Sequence, residues 1–158
     1  MPVEAGTREW IEEVMEQHAH LRAAVAEMKQ FACEARPDMG KTGYHTWAAE
    51  LSKRLVNLHD ELFRHFRYEE VAGVMEELTL SHPEAATKLE DILSEHPKLL
   101  RKNRRLIADV LSYSEGRDVE DPRLRRRICS LLDALHRHEQ EETALIQKLE
   151  YRDVGAAD

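Results

Sequence analysis

Apolar side chains recur along the chain in alternating steps of three and four residues, in four runs. The first is Ile11, Val14, His18, Leu21, Val25, Met28 and Ala32; the second is Leu51, Leu55, Leu58, Leu62, His65, Glu69 and Ala72. The third is Leu89, Leu93, His96, Leu100, Asn103, Ile107 and Val110; the fourth is Ile128, Leu131, Leu135, His138, Glu142, Leu145 and Leu149. Such spacing keeps residues on one face of an α-helix, so each run predicts an amphipathic helix with one inward stripe.

The punctuation between the runs sets the helix ends. Thr7 reads as an N-cap of a first helix that runs to about Ala35, followed by a Pro- and Gly-broken loop over 36–43. The second helix is expected from about Tyr44 to Thr79. Ser81-His82-Pro83-Glu84 has capping-box spacing with Pro in the first turn, and opens a third helix to about Ser114. After a loop to Glu120, Asp121-Pro122 is an N-cap followed by Pro at the first helical position, and the fourth helix ends near Glu150. Tyr151–Asp158 carries no periodicity. Short loops make successive helices antiparallel neighbours. The expectation is all-α: one domain over 1–158 with its core about 7–150, an up-down-up-down antiparallel four-helix bundle.

The stripes are interrupted by His18, His65, Glu69, His96, His138 and Glu142, where the pattern asks for Leu or Ile. Burying ionisable groups without partners costs several kcal/mol each. His65/Glu69 and His138/Glu142 are four apart, so each pair shares a helix face ~6 Å apart along the axis. At ~1.5 Å per residue, His18 stands ~16 Å above Thr7, His65 ~21 Å from Thr79, His96 ~20 Å beyond Pro83 and His138 ~18 Å from Glu150. The four imidazoles therefore fall in one layer. Four neutral imidazoles and two carboxylates in a dry layer suit iron, manganese or zinc. Six ligands exceed the needs of one tetrahedral zinc and match two metals bridged by carboxylates. The other reading is a buried polar layer in which His and Glu satisfy one another. No Glu-x-x-His occurs in the chain, which sets it apart from the ferritin-like di-iron bundles.

Composition agrees with helices. The 158 residues include few aromatics (6%) and only 6 Gly, which argues against an all-β fold. With 31 acidic and 23 basic residues the net charge is −8, which argues against a general nucleic-acid binder. No apolar run approaches ~18 residues, so no membrane span is expected. Met1–Gly6 lacks the basic and apolar regions of a secretory signal, and two cysteines fit a reducing cytoplasm.

His18-Ala19-His20-Leu21-Arg22, His65-Phe66-Arg67-Tyr68-Glu69-Glu70, His96 and His138-Glu139-Gln140-Glu141-Glu142 together resemble the haemerythrin-like (HHE) cation-binding domain, over roughly residues 7–150. By that resemblance His18 is the first-helix ligand, His65 and Glu69 the second-helix pair, His96 the third-helix ligand, and His138 and Glu142 the fourth-helix pair. The resemblance implies a non-haem di-iron centre. It also implies binding, storage or sensing of oxygen, handling of nitric oxide or peroxide, or repair of damaged iron centres. Invertebrate oxygen carriers have two His four apart on the third helix. Here Ile92 and Leu100 flank His96 at that spacing, as in the bacterial four-His, two-Glu subset.

Several further features carry expectations. The stripe favours His138/Glu142 over His136/Glu141. Pro97 either re-aims His96 or breaks the third helix. His20, His45, His59, His82 and His136 read as solvated or rim residues, with His59 the nearest to the stripe. Asn103 reads either as a hydrogen-bonding residue near the site or, preferably, as a register residue. Tyr68 and Tyr113 are candidate phenols near the metals. Lys98, Arg101, Lys102, Arg104, Arg105, Arg123, Arg125, Arg126 and Arg127 gather toward one end, as a solvated face or as a dock for an acidic protein. Cys33 and Cys129 lie near that end on helices expected to be neighbours; a redox-linked disulfide is geometrically open to them, and the default reading is inert, semi-buried thiols. No separate acid, base or nucleophile stands in the stripes, so any catalysis would rest on the metals. The functions to be weighed are a di-iron protein binding O2 or a related small oxidant for sensing, storage or detoxification, an iron-donor or iron-centre repair protein, and a metal-free interaction bundle.

Overall fold

The structure is a computed structural model that describes residues 5–34, 41–71, 73–115 and 122–156. The periodic runs become α1 (Ala5–Lys29), α2 (Lys41–Val71), α4 (Ala86–Ser114) and α5 (Pro122–Ala156), with a short α3 (Val74–Ser81) between α2 and α4. Among the described residues only Gly73, His82 and Glu115 lie outside a helix, and no strand occurs. None of these helices is long and apolar enough to cross a membrane.

Four pairs of long helices meet around one core, and contacts along each pair run in opposite senses. Between α1 and α2, Gln17 meets His65, Glu27 meets Arg54 and Phe31 stacks on Trp47. Between α2 and α4, Tyr44 meets Tyr113, Leu55 meets Asn103 and Glu70 meets His96. Lys88, Glu95 and Asp109 of α4 meet Glu141, His138 and Arg127 of α5. His18, Lys29 and Ala32 meet Thr143, Asp133 and Arg125. Each pair is therefore antiparallel.

The apolar core forms two clusters. One gathers Leu51, Leu55, Val110, Leu124, Ile128 and their neighbours; the other gathers Trp10, Val14, Met75, Leu78, Leu89, Ile146 and Leu149. The buried polar layer lies between them. Side chains such as Leu51, Leu55 and Ile128 are fully buried, each stabilising the bundle by roughly 1.5–3 kcal/mol. Asn103 is also buried. Its amide donates to the Leu55 carbonyl at 3.2 Å, pinning the register of α4 on α2.

Several helix boundaries differ from the sequence reading. Helix α1 starts at Ala5, and Thr7 is no cap: its hydroxyl donates to Glu77 Oε2 at 3.0 Å, tying α1 to α3. The expected second helix is divided at Gly73, which takes a left-handed φ of 72°. That bend lets α3 fold over the end of the bundle and bury Val74, Met75 and Leu78. Ala72, placed on the second stripe, lies outside the described residues. The capping box does not form. Ser81 is the last residue of α3, and the chain continues through a single 3-10 turn, Pro83–Ala85, with no side-chain cap. Backbone bonds from His82 N–H to Leu78 O and from Ala85 N–H to His82 O, both 2.9 Å, hold that junction instead. Pro122 opens α5 as expected, while its expected cap Asp121 lies outside the described residues, as do Ala35 and the loop residues 36–40 and 116–120. Helix α5 runs past Glu150 to Ala156.

The end of α1 loosens into a π-helical turn, Gln30–Glu34. Arg125 of α5 donates to the carbonyls of Ala32 at 2.9 Å and Cys33 at 2.7 Å, satisfying groups that a helix end leaves open. Beside it Cys33 and Cys129 form a disulfide with Cα atoms 6.0 Å apart, so the inert-thiol reading is incorrect. Spacing along the chain cannot show a pairing that depends on two helices meeting at this height. Paired, the cysteines no longer argue for a reducing compartment.

The bond closes a loop of 96 residues, which in the chain-entropy picture contributes about 4.7 kcal/mol. Replacing both cysteines with serine, or adding reductant, is expected to lower the thermal midpoint clearly; an unchanged midpoint would refute the bond. Gly73→Ala is expected to cost about 1–2 kcal/mol in denaturant titration, because a Cβ opposes the left-handed turn.

Candidate metal centre

Each long helix brings its polar stripe residues to the same height. His18 comes from α1, His65 and Glu69 from α2, His96 from α4, and His138 and Glu142 from α5. All six are 0–4% exposed, so the layer is dry. Helix α4 passes through Pro97 unbroken, and His96 stays in the layer. Helix α3 contributes none of the six; although Gly73 invalidates the height counted from Thr79, α2 alone still carries His65 to the level of the others.

The inward atoms form two overlapping groups, His18 with His65, Glu69 and Glu142, and His96 with His138 and Glu142. In each group the nitrogen and oxygen atoms lie within 4.8 Å of one another. Glu69 faces both groups. Its Oε1 lies 2.6 Å from His65 Nε2 and 3.4 Å from His18 Nε2, and its Oε2 lies 3.3 Å from His96 Nε2. Glu142 Oε2 lies 3.3 Å from His138 Nε2 and 3.8 Å from His18 Nε2. The ring pairs His18/His65 and His96/His138 cross edge-on with centroids 4.9 and 5.0 Å apart, and Phe66 stacks on His96 at 3.9 Å.

The outward nitrogen of every imidazole is fixed by a neighbouring helix. His65 Nδ1 donates to Gln17 Oε1 at 2.7 Å, and the Gln17 amide is itself oriented by donating to Glu13. His96 Nδ1 donates to Glu70 Oε1 at 2.9 Å and His138 Nδ1 to Glu95 Oε2 at 2.8 Å. Thr143 gives its hydroxyl proton to Glu139 Oε1 at 3.0 Å, so it accepts from His18 Nδ1 at 2.8 Å. Each acceptor leaves only the Nδ1–H tautomer, and each Nε2 points inward with its lone pair free. This is how proteins orient a metal-ligating imidazole.

The inner atoms are left without such partners. Nε2 of His18, His96 and His138 and all four carboxylate oxygens of Glu69 and Glu142 are buried and lack a hydrogen-bond partner. A core in which histidines and carboxylates fully satisfied one another would not leave seven atoms of these two groups unpaired, since each buried unsatisfied group costs about 1–3 kcal/mol. The donors therefore fit a cation, and the buried His/Glu group could hold a metal ion.

Protonation in the absence of metal follows from burial and mutual charge. Burial lowers the pKa of His18 and His96. Burial and then the His18 charge take His65 down to about 3. Burial also opposes charge on His138, but contact with Glu142 and then Glu95 outweighs it and the pKa rises. Burial and the Glu142 charge push Glu69 well up. Burial pushes Glu142 the same way, yet its contacts with His138 and Glu69 hold it down at about 2.

The remaining sequence candidates fall elsewhere. His136 is exposed, and Glu141 pairs with Lys88 at the surface. His20 is exposed and His45 half-buried, as expected of rim residues, and His59 is half-buried against Phe63, away from the layer. His82 was expected at the surface but is buried at 8% exposure, because the unforeseen α3 turn brings it inside. Tyr68 is exposed, and Tyr113 packs against Tyr44 in the other core cluster, so neither phenol reaches the layer. Of the basic residues, Arg125 caps α1 and Arg127 pairs with Asp109 at 2.7 Å, while Lys102, Arg105, Arg123, Arg126 and Arg127 line one open groove between α4 and α5.

The sequence reading missed the outer partners Gln17, Glu70, Glu95, Glu139 and Thr143. A signal was present: Gln17, Glu70, Glu95 and Glu139 each directly adjoin a layer residue. Each serves the histidine of the next helix, which only the packing reveals. Comparison with family models, with curated proteins and with solved structures returned no match to this chain.

The protonation pattern has a measurable consequence. In the metal-free folded site burial and then the His18 charge hold His65 neutral down to about pH 3, whereas the unfolded chain protonates the same imidazole below about 6.5. The unfolded state then binds more protons, so stability falls as pH drops from about 6 to 4. Thermal unfolding in chelator should show that fall, and His65→Leu should flatten it.

Proposed function

We propose that the chain is a non-haem di-iron protein that binds O2 or a related small oxidant, such as nitric oxide or peroxide, for sensing, storage or detoxification. The observation that carries this is the contrast within the layer: every outward Nδ1 is satisfied, and the inward Nε2 of His18, His96 and His138 and the carboxylate oxygens of Glu69 and Glu142 are not. His18, His65, Glu69, His96, His138 and Glu142 would hold the metals, with Glu69 and Glu142 shared between them. Two iron ions would supply redox chemistry and an open position for a small ligand; manganese and zinc suit the same donors.

The protein's part is selection and exclusion. Leu21, Val25, Leu62, Phe66 and Leu135 wall a cavity of about 20 Å3 against three of the imidazoles, His18, His65 and His138. That is room for one water-sized molecule, so the walls favour a small apolar ligand over a larger substrate. Exposed Arg22 and His136 also line the cavity and mark its side toward solvent. Arg22 lies 3.3 Å from the buried Glu139 carboxylate, which in turn steadies Thr143 and His18.

A second reading, delivery of iron to an acidic protein partner, draws on the groove lined by Lys102, Arg105, Arg123, Arg126 and Arg127. It requires iron that leaves readily to a chelator, where the first reading requires iron that stays.

The deciding experiment is anaerobic reconstitution of the purified chain with ferrous iron, followed by air, beside a His138→Leu/Glu142→Leu control. The expected result is near two irons per chain and an absorption band that appears with air and is missing from the control. Fading of the band on deoxygenation marks binding rather than turnover. A folded, unmutated chain that takes up no stoichiometric metal and shows no band would overturn the proposal.

A further inference from the structure

The two halves of the layer present matched inner donors. Each has two imidazoles, and Glu69 and Glu142 reach into both. Their outer partners are not matched. On one half, His96 and His138 each give their Nδ1–H to a carboxylate, Glu70 at 2.9 Å and Glu95 at 2.8 Å. On the other, His65 gives its proton to the neutral Gln17 amide at 2.7 Å and His18 to the neutral Thr143 hydroxyl at 2.8 Å. The Glu139 carboxylate lies 3.8 Å from His18 Nδ1, beyond hydrogen-bond reach, accepts instead from Thr143, and is shared with the Arg22 cation at 3.3 Å.

An anionic acceptor makes a stronger hydrogen bond than a neutral one and pulls the Nδ1 proton toward itself. Electron density shifts to the far side of the ring, and Nε2 becomes a better metal donor. A neutral acceptor orients the ring without that push. We infer that the two metal positions are unequal: the His96/His138 position, strengthened by Glu70 and Glu95, fills first and holds its ion, and the His18/His65 position, oriented by Gln17 and Thr143, is the looser one. Glu70 and Glu95 are thus positioning residues that act through the imidazoles. The inference rests on the metal-site reading above.

The test is zinc titration of the metal-depleted full chain against a competing chelator, followed calorimetrically. Two separate steps are expected. Glu70→Gln and Glu95→Gln keep the side-chain shape and should each weaken the tighter step about 10–100-fold while leaving the weaker one in place. Gln17→Glu, made together with Glu13→Gln to avoid a like-charge pair four residues apart, should strengthen the weaker step. Helical circular dichroism and thermal midpoints establish that each variant is folded, and the Gln17 pair carries the test if a Glu variant is not. Two equal steps in the unmutated chain would overturn the inference while leaving the metal site standing, as would a Glu→Gln change that weakens both steps alike. A folded, unmutated chain that binds no zinc would overturn both.

Discussion

Six ionisable side chains held dry at one height are the constraint on which this bundle depends. An apolar layer there would require nothing of its neighbours. Imidazoles and carboxylates require partners, because each buried polar atom left alone costs free energy. The fold answers on the outward side with acceptors for all four Nδ1–H groups, and leaves seven inward atoms unanswered. The apolar clusters above and below supply the stability that makes an unsatisfied centre tolerable. The disulfide and the Arg125 cap strengthen one end, and α3 closes the other.

The stripes and their interruptions were readable in the sequence because both follow from helical period alone. The six ionisable residues on the apolar stripes all proved buried, and the rise per residue counted from Thr7, Pro83 and Glu150 agreed with their common layer, while the count from Thr79 failed at Gly73. What was not readable has specific causes. A lone Gly in a helical pattern is tolerated as often as it bends a chain, so the break at Gly73 did not stand out. That one miss explains two more, the burial of His82 and the lost role of Ser81. The Cys33–Cys129 bond needed two helix faces to meet. The outer partners were adjacent to layer residues in sequence, but an adjacent residue on a helix points about 100° away. What it meets there belongs to another helix.

The ring of outer hydrogen bonds has a direction. Gln17 of α1 serves His65 of α2, Glu70 of α2 serves His96 of α4, Glu95 of α4 serves His138 of α5, and Thr143 of α5 serves His18 of α1. Apolar stripes alone are nearly indifferent to whether four antiparallel helices wind clockwise or anticlockwise when viewed from one end. In the opposite winding each helix would exchange its flanking neighbours' sides, and every acceptor would turn away from the imidazole it now serves. The polar ring therefore selects the handedness of the bundle, penalising the mirror arrangement by four orphaned donors where greasy packing would hardly tell the two apart.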